Sequence, residues 1–86
     1  MTTYKFKTDA KSKAFCDEIV EDMARRFGIS RAEAIGRVNR EWKGRSLIGN
    51  VLIMYHEPEE YWAQRIYYAE SVRWWIDPNP AIKPYP

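Results

Sequence analysis

Histidine and carboxylate side chains come together at one place in the sequence, the segment His56-Glu57-Pro58-Glu59-Glu60. A histidine beside a carboxylate can act as a general acid or base, and two histidines with a glutamate can hold zinc. This segment lacks the second histidine of a zinc-protease helix, because His56 is the chain's only histidine. A lone histidine at a helix start is usually a capping or hydrogen-bonding residue. We therefore keep His56 as a candidate partner contact and expect no metal there.

The only cysteine, Cys16, lies among apolar residues of an amphipathic segment, where a thiol usually serves packing. One cysteine cannot form a disulfide within the chain, and one cysteine with one histidine is too few for a zinc cluster. No nucleophile–base spacing and no phosphate-binding glycine loop occurs in the sequence. We expect no catalytic residue, no metal, no cofactor and no enzymatic activity.

Basic residues are concentrated in the first half of the chain. The formal net charge is +2, but residues 1–45 hold eleven lysines and arginines against seven acidic residues, and residues 46–86 hold three against five. Basic side chains on one surface can neutralise nucleic-acid phosphates. The asymmetry equally allows two copies to meet head to tail, and any surface helix has a charged outer face. The nucleic-acid candidates are Lys5, Lys7, Arg31, Arg37, Arg40, Lys43 and Arg45.

Aromatic residues are concentrated between Tyr55 and Trp75, a stretch that holds seven of the chain's thirteen. Helical periodicity places Arg65 within the apolar arc of this stretch and Tyr67 on its polar side. Arg65 then extends to the rim, pairs with a carboxylate or points into a pocket. Two adjacent tryptophans cannot both face inward from one element, which predicts exposure of one of them. The candidates for contact with a partner protein, a small ligand or a second copy are His56, Arg65, Tyr67, Trp74 and Trp75.

The first half of the chain predicts one strand and two helices. Residues 3–7 alternate apolar and basic side chains, which predicts a strand with Tyr4 and Phe6 facing inward. A first helix follows, which Thr8, Asp9 or Ser12 caps and which runs to about Phe27. Residues 28–30 separate it from a second helix over residues 31–43, where Ser30 and Glu33 predict a capping box. On this second helix the outward-facing residues are Arg37, Arg40 and Lys43.

The second half predicts a strand, a helix and a tail. Residues 51–55 form an apolar run that predicts the most buried strand, paired with residues 3–7. Pro58 and the acidic residues around it start a third helix that runs to about Trp74. Residues 77–86 contain four of the five prolines and are predicted to be extended. The prediction is a single α+β domain over residues 1–76, with three helices packed on a short antiparallel two-stranded sheet, followed by an extended proline-rich tail.

Gly36 lies among the arginines of the second helix, where a glycine costs roughly 1 kcal/mol of helix stability relative to alanine. Either another part of the chain approaches the backbone there or the glycine is a tolerated surface residue. The tail has two apolar side chains, Ile82 and Tyr85. Either the tail is frayed, or these two side chains tie it back onto the tryptophans, and we favour the second alternative because they have no other use.

The segment FGISRAEAIGRVNREW resembles the second half of a ribbon-helix-helix repressor, with residues 3–7 in the place of the ribbon. That resemblance implies that two chains pair their strands in the DNA major groove, with Lys5, Lys7 and Thr3 reading bases. The same segment also resembles a helix-turn-helix. Together with YHEPEEYWAQRIYY, it is similar to a group of small uncharacterised bacterial proteins, a resemblance that implies no activity.

These patterns favour a small non-enzymatic binding protein that self-associates, as a dimer, through exposed aromatic residues. The alternative is a nucleic-acid-binding regulator that uses the basic face of the second helix. The amino terminus lacks the apolar run of a signal peptide, and no stretch approaches the roughly 20 apolar residues that span a bilayer. We therefore expect a cytoplasmic protein with no membrane contact.

Overall fold

The computed structural model describes residues 4–49, 53–70 and 72–85. In these residues, three α-helices pack around a core, with two short strands at one side. The elements in chain order are β1 (Lys7–Thr8), α1 (Ala10–Phe27), α2 (Arg31–Glu41), β2 (Ser46–Leu47), a 3₁₀ turn (Ile53–His56) and α3 (Glu59–Tyr67). The predicted α+β class is therefore confirmed. Among the described helices, none has both the length and the apolar character needed to cross a bilayer.

Helix α1 begins at a complete capping box. The Asp9 carboxylate accepts from the Ser12 amide at 2.8 Å, and the Ser12 hydroxyl accepts from the Asp9 amide at 2.9 Å. The second carboxylate oxygen of Asp9 accepts from the Gly49 amide at 2.9 Å. One side chain thus starts the helix and fixes the loop after β2. At the other end, Gly28 adopts the left-handed conformation that glycine favours, with φ of 66°, so the helix ends at Phe27 as predicted.

Helix α2 begins as predicted at Arg31 but ends at Glu41, two residues before the predicted end. The Ser30 hydroxyl accepts from the Glu33 amide at 3.0 Å, which is half of the predicted capping box. The Glu33 carboxylate pairs instead with Arg37 at 2.9 Å. Trp42 follows the helix and is buried, so the predicted inward face of α2 extends past its last residue.

The sheet is parallel, and the prediction of an antiparallel pair was wrong. Lys7 is opposite Ser46 and Thr8 is opposite Leu47. Parallel strands need a long crossover, and α1 with α2 supplies it here. The predicted second strand over residues 51–55 was also wrong where the structure describes it, because residues 53–56 form a 3₁₀ turn. The predicted first strand over residues 3–7 was wrong for residues 4–6, which are bends, because the chain pairs with β2 only at Lys7 and Thr8. Residues 51 and 52, and Thr3 of the predicted first strand, lie outside the described residues.

The core lies along α1, which packs against both other helices. The α1 side chains Cys16, Ile19, Val20 and Met23 are completely buried, on the face that the helical periodicity predicted. Burial, with a smaller contribution from the Asp17 carboxylate, raises the pKa of the Cys16 thiol to about 12. Cys16 is therefore a packing residue that stays protonated at neutral pH.

Helix α3 ends at Tyr67, although the sequence predicted that it would continue to about Trp74. After Tyr67 the chain turns extended and pairs with the tail. The Lys83 amide donates to the Tyr67 carbonyl at 3.0 Å, and the Ala69 amide donates to the Ala81 carbonyl at 2.9 Å. Backbone pairing with residues 81–83 thus satisfies hydrogen-bonding groups that a longer helix would have used. The tail is tied back as predicted, but onto α2 and the end of α3.

Replacing Asp9 with alanine is expected to lower the melting temperature, because the Ser12 and Gly49 amides lose their acceptor. Hydrogen bonds from the Gly49 and Ser12 amides hold the pKa of Asp9 below its ordinary value of 3.8. A lowered native pKa makes this contribution present above about pH 4 and lost as the pH falls through the native pKa. Thermal melts near pH 7 and near pH 2 measure the effect.

The melting-temperature gap between wild type and Asp9→Ala should shrink at the lower pH. Glu18→Ala is the control, because Glu18 is exposed on the same helix. This control should change the melting temperature little at either pH. A gap for Asp9→Ala that is equally large at both pH values would contradict the role assigned to the ionised carboxylate.

Candidate functional site

An open groove of about 810 Å³ lies beside the sheet. It is lined by residues 4–8, by Lys13 of α1, and by residues 44–46 and 48 around β2. We call this surface the basic groove. Three segments that are distant in sequence form it, because the parallel pairing of β1 with β2 brings residues 7–8 beside residues 46–47.

Hydrogen bonds to both helices hold the groove's first wall in place. The Tyr4 hydroxyl donates to the Asp17 carboxylate of α1 at 2.7 Å. The Lys5 amide donates to the Asn39 side-chain oxygen of α2, also at 2.7 Å. The Lys7 amide donates to the Arg45 carbonyl at 3.3 Å. Burial and the bond to Asp17 raise the pKa of Tyr4, so its hydroxyl remains a donor. Residues 4–7 are thus fixed between α1, α2 and β2.

Cationic and aromatic side chains line the basic groove together. The lysines and arginine that line it are Lys5, Lys7, Lys13 and Arg45. Among the described residues that line the groove, none carries a carboxylate. Phe6 lines the groove and is half-buried, with its ring centroid 5.4 Å from that of Tyr4 and 6.0 Å from that of Trp42.

The cations of the groove differ in how far they are neutralised. Lys13 pairs with Asp17 at 3.1 Å. Although burial opposes ionisation of Asp17, hydrogen bonds from Tyr4 and Lys13 outweigh it and lower the pKa of this carboxyl. The side chains of Lys5, Lys7 and Arg45 form no ion pair with the part of the chain that the structure describes. Three charges are therefore available to an anionic ligand.

The predicted basic face of α2 is largely occupied by the tail. Arg37 was predicted to face outward, but it is only 4% exposed, so this prediction was wrong. Its guanidinium pairs with Glu33 at 2.9 Å and donates to the Lys83 carbonyl at 2.7 Å. The same group lies 4.8 Å from the ring centroid of Tyr67 and 5.4 Å from that of Tyr85. Arg37 therefore binds the chain's own tail.

The other basic candidates of α2 and its surroundings fall into three groups. Arg40 donates to the Pro84 carbonyl at 2.7 Å, so it also holds the tail. Arg31 pairs with Glu21 of α1 at 2.7 Å. Lys43 is exposed in the turn after α2. Of the seven nucleic-acid candidates, the structure brings together Lys5, Lys7 and Arg45 in the basic groove.

Gly36 faces the tail, which decides between the two explanations for this glycine. A Cβ atom at this position would overlap the hydroxyl group of Tyr85, and it would lie 2.9 Å from a carbon of the same ring. The Tyr85 ring also lies over the Arg40 guanidinium at 5.5 Å. The glycine therefore makes room for an aromatic ring that packs directly on the helix backbone.

The predicted partner contacts lie on different elements and differ in exposure. His56 is exposed at the end of the 3₁₀ turn, and Arg65 is partly exposed on the last turn of α3. Tyr67 was predicted on the polar side but is buried, with its ring stacked 3.7 Å from that of Phe27, so the prediction of an exposed Tyr67 was wrong. The exposed partner candidates therefore lie in separate segments of the chain.

The two tryptophans differ in exposure, and one of them is exposed as predicted. Trp74 is half-buried and packs its ring 5.6 Å from that of Tyr61. Trp75 is 64% exposed, and Ile76 beside it is 67% exposed. We call Trp75 and Ile76 the apolar turn.

The sequence did not single out two residues of these surfaces. One is Ile76 of the apolar turn, and the other is Lys13 of the basic groove, whose proximity to β1 has no signature in the sequence.

Metal binding has no evident site in the described residues, where no group of three or more His, Cys, Asp or Glu side chains is placed to hold an ion. Comparisons with protein families, with curated proteins and with solved structures found no match to this chain. The resemblances to ribbon-helix-helix and helix-turn-helix proteins and to small bacterial proteins therefore stay predictions. The function must be inferred from the geometry of the chain itself.

Replacing Gly36 with alanine is expected to have opposite effects with and without the Tyr85 ring. Alanine normally stabilises a helix interior by roughly 1 kcal/mol relative to glycine. In the wild-type chain the added Cβ displaces Tyr85, so Gly36→Ala should give no gain or a loss. In a Tyr85→Ala background the same substitution should raise the free energy of unfolding. Urea denaturation of wild type, the two single variants and the double variant measures the effect of Gly36→Ala in each background. We expect the two effects to differ by about 1 kcal/mol or more.

Ala32→Gly is the matched control, because Ala32 is exposed on the same helix. It should lower the free energy of unfolding by the same amount in both backgrounds. If Gly36→Ala stabilised the wild-type chain and the Tyr85→Ala chain equally, the contact between Gly36 and Tyr85 would not restrict this position.

Proposed function

We propose that this chain is a binding protein and that its basic groove takes a single-stranded nucleic acid. The observation that carries the proposal is that Lys5, Lys7 and Arg45, which form no ion pair with the described residues, line the same groove as Phe6. Lysine and arginine contact phosphates, while an aromatic ring stacks with an unpaired base. The groove offers both kinds of contact within one open surface.

A single strand suits the groove better than a duplex. The bases of a duplex are stacked on one another, so the Phe6 ring has no base face to stack on. Duplex readers usually place a helix or a pair of strands in the major groove. The outer face of α2 is covered by the tail at Arg37 and Arg40, which leaves this helix poorly suited to that role.

The proposal predicts moderate, strongly salt-dependent affinity. Each phosphate contact with a single strand contributes about −0.7 to the slope of log K against log salt concentration, so three contacts give about −2. Lys7→Ala or Arg45→Ala should reduce that slope by about 0.7 and weaken binding. Fluorescence anisotropy with a labelled single strand of about ten nucleotides, at several salt concentrations, measures both quantities.

The matched control for these variants is Arg25→Ala. Arg25 is exposed near the end of α1, about 18 Å along the helix from Lys13, so its replacement should leave the affinity and the salt slope unchanged.

Phe6→Leu tests the contact with a base. It should weaken binding of the single strand by about 1 kcal/mol or more and leave heparin binding unchanged, since heparin has no bases. Equal binding of single strand, duplex and heparin, with no effect of Phe6→Leu, would contradict the proposal.

Self-association through the apolar turn is the second candidate function. The observation that favours it is the exposure of Trp75 and Ile76, two large apolar side chains that are adjacent in the chain and more than three-fifths exposed. Tryptophan is enriched at the centres of protein interfaces. A dimer that covers both turns would remove this surface from water.

Trp75→Ala is expected to weaken self-association about tenfold or more, because burial of a large apolar side chain contributes about 1.5–3 kcal/mol. Sedimentation velocity over a range of protein concentrations measures the dissociation constant. Ile48→Ser is the control, since Ile48 is also an exposed isoleucine but lies in the basic groove. A wild-type chain that stays monomeric at every concentration tested would exclude this candidate.

A further inference from the structure

Residues 81–85, which we call the tail segment, are bound by a surface made of two other parts of the chain. One part is the outer side of α2 at Gly36, Arg37, Arg40 and Glu41. The other is the backbone of residues 67–69, where Tyr68 and Ile82 form an antiparallel bridge. We call these two parts together the docking face.

The docking face holds the tail segment by its backbone and by particular side chains. The carbonyls of Lys83 and Pro84 each accept from an arginine of α2 at 2.7 Å. Proline has no amide hydrogen, so a donor to its carbonyl completes its hydrogen bonding. The Lys83 ammonium lies 3.1 Å from the Glu70 carboxylate and 3.9 Å from that of Glu41. The segment is therefore bound as an extended peptide with defined positions for lysine, proline and tyrosine.

The chain that leads to the tail segment has mainly local backbone contacts. The amides of Ile76 and Asp77 donate to the Arg73 carbonyl, and the Asn79 amide donates to the Asp77 side chain at 2.9 Å. Pro78 and Pro80 stiffen the remaining stretch. The apolar turn lies immediately before this connection, at residues 75 and 76. Residues 77–80, which we call the connection, could therefore lead the tail segment away from its own domain with the loss of few contacts.

We propose that the tail segment also docks on a second copy of this chain, in a dimer in which each copy gives its tail segment to the other. The inference rests on self-association as the second candidate function. Exchange of an identical segment keeps the same contacts, so its cost in contact energy is small. The exchanged dimer is stabilised because the connections of the two chains cross, which brings the two apolar turns together and covers them from water.

A pair of charge-reversed chains tests the exchange. In one chain Lys83→Glu places a negative charge of the tail segment against Glu41 of its own docking face and against the neighbouring Glu70. In the other chain Glu41→Lys and Glu70→Lys place two positive charges against its own Lys83. Either chain alone repels its tail segment both within one copy and between like copies. In the mixed dimer both exchanged contacts are attractive.

Native mass spectrometry of the two chains, mixed and separate, measures the dissociation constants of their dimers. The expected result is a mixed dimer whose dissociation constant is about tenfold lower than that of either chain alone. Absence of any preference for the mixed dimer would overturn the proposal. A dimer that Trp75→Ala abolishes, but that charge reversal leaves unaffected, would overturn exchange and leave association through the apolar turn intact.

The wild-type chain supplies a second measurement that does not depend on the folding of variants. Isotope-labelled and unlabelled chains are mixed, unfolded and refolded together, and nuclear Overhauser contacts between unlike chains are selected. Exchange is expected to give a contact between the Tyr85 ring of one copy and Gly36 of the other. If that contact occurs only within a single labelled chain at concentrations where dimers are present, the tail segment stays on its own copy and the proposal fails.

Discussion

The buried guanidinium of Arg37 is the interaction that joins α2, α3 and the tail. A charge taken out of water costs several kcal/mol unless its hydrogen bonds are satisfied, and breaking a buried pair costs about 3–5 kcal/mol. Here the charge meets the Glu33 carboxylate, the Lys83 carbonyl and the rings of Tyr67 and Tyr85. Three of these four partners come from outside α2. The tail is thus held in place because it supplies contacts that the buried Arg37 guanidinium needs.

Contacts with the tail separate two groups among the basic candidates. Arg37 and Arg40 donate hydrogen bonds to backbone carbonyls of the tail and so belong to the fold. Lys5, Lys7 and Arg45 have no such partner among the described residues and remain open to solvent in the basic groove. Net charge alone did not distinguish these groups, because both contribute equally to it. What separates them is whether a nearby segment supplies acceptors.

Local signals in the sequence predicted the existence of the three helices and the boundary between α1 and α2, and non-local contacts account for what they missed. The end of α1 at Phe27 and the start of α2 at Arg31 follow from Gly28 and Ser30, whose effects act within one helical turn. The outward position of Arg37 followed from periodicity alone, which carries no information about a segment 46 residues away that covers the helix. The parallel sheet was unpredictable for the same reason. Two strands of two residues carry no register signal, and their pairing follows from how α1 and α2 pack.

That pairing has a kinetic consequence for the groove beside it. Residues 7 and 46 are 39 positions apart, so β1 and β2 meet only after the intervening chain has closed a long loop, whose entropic cost must be met first. Helices α1 and α2 shorten that loop as they form. A two-residue ladder adds little stability of its own, so amide exchange should show it opening at a lower free energy than the buried centre of α1. The basic groove beside this ladder then loses its shape before the helical core does on mild destabilisation.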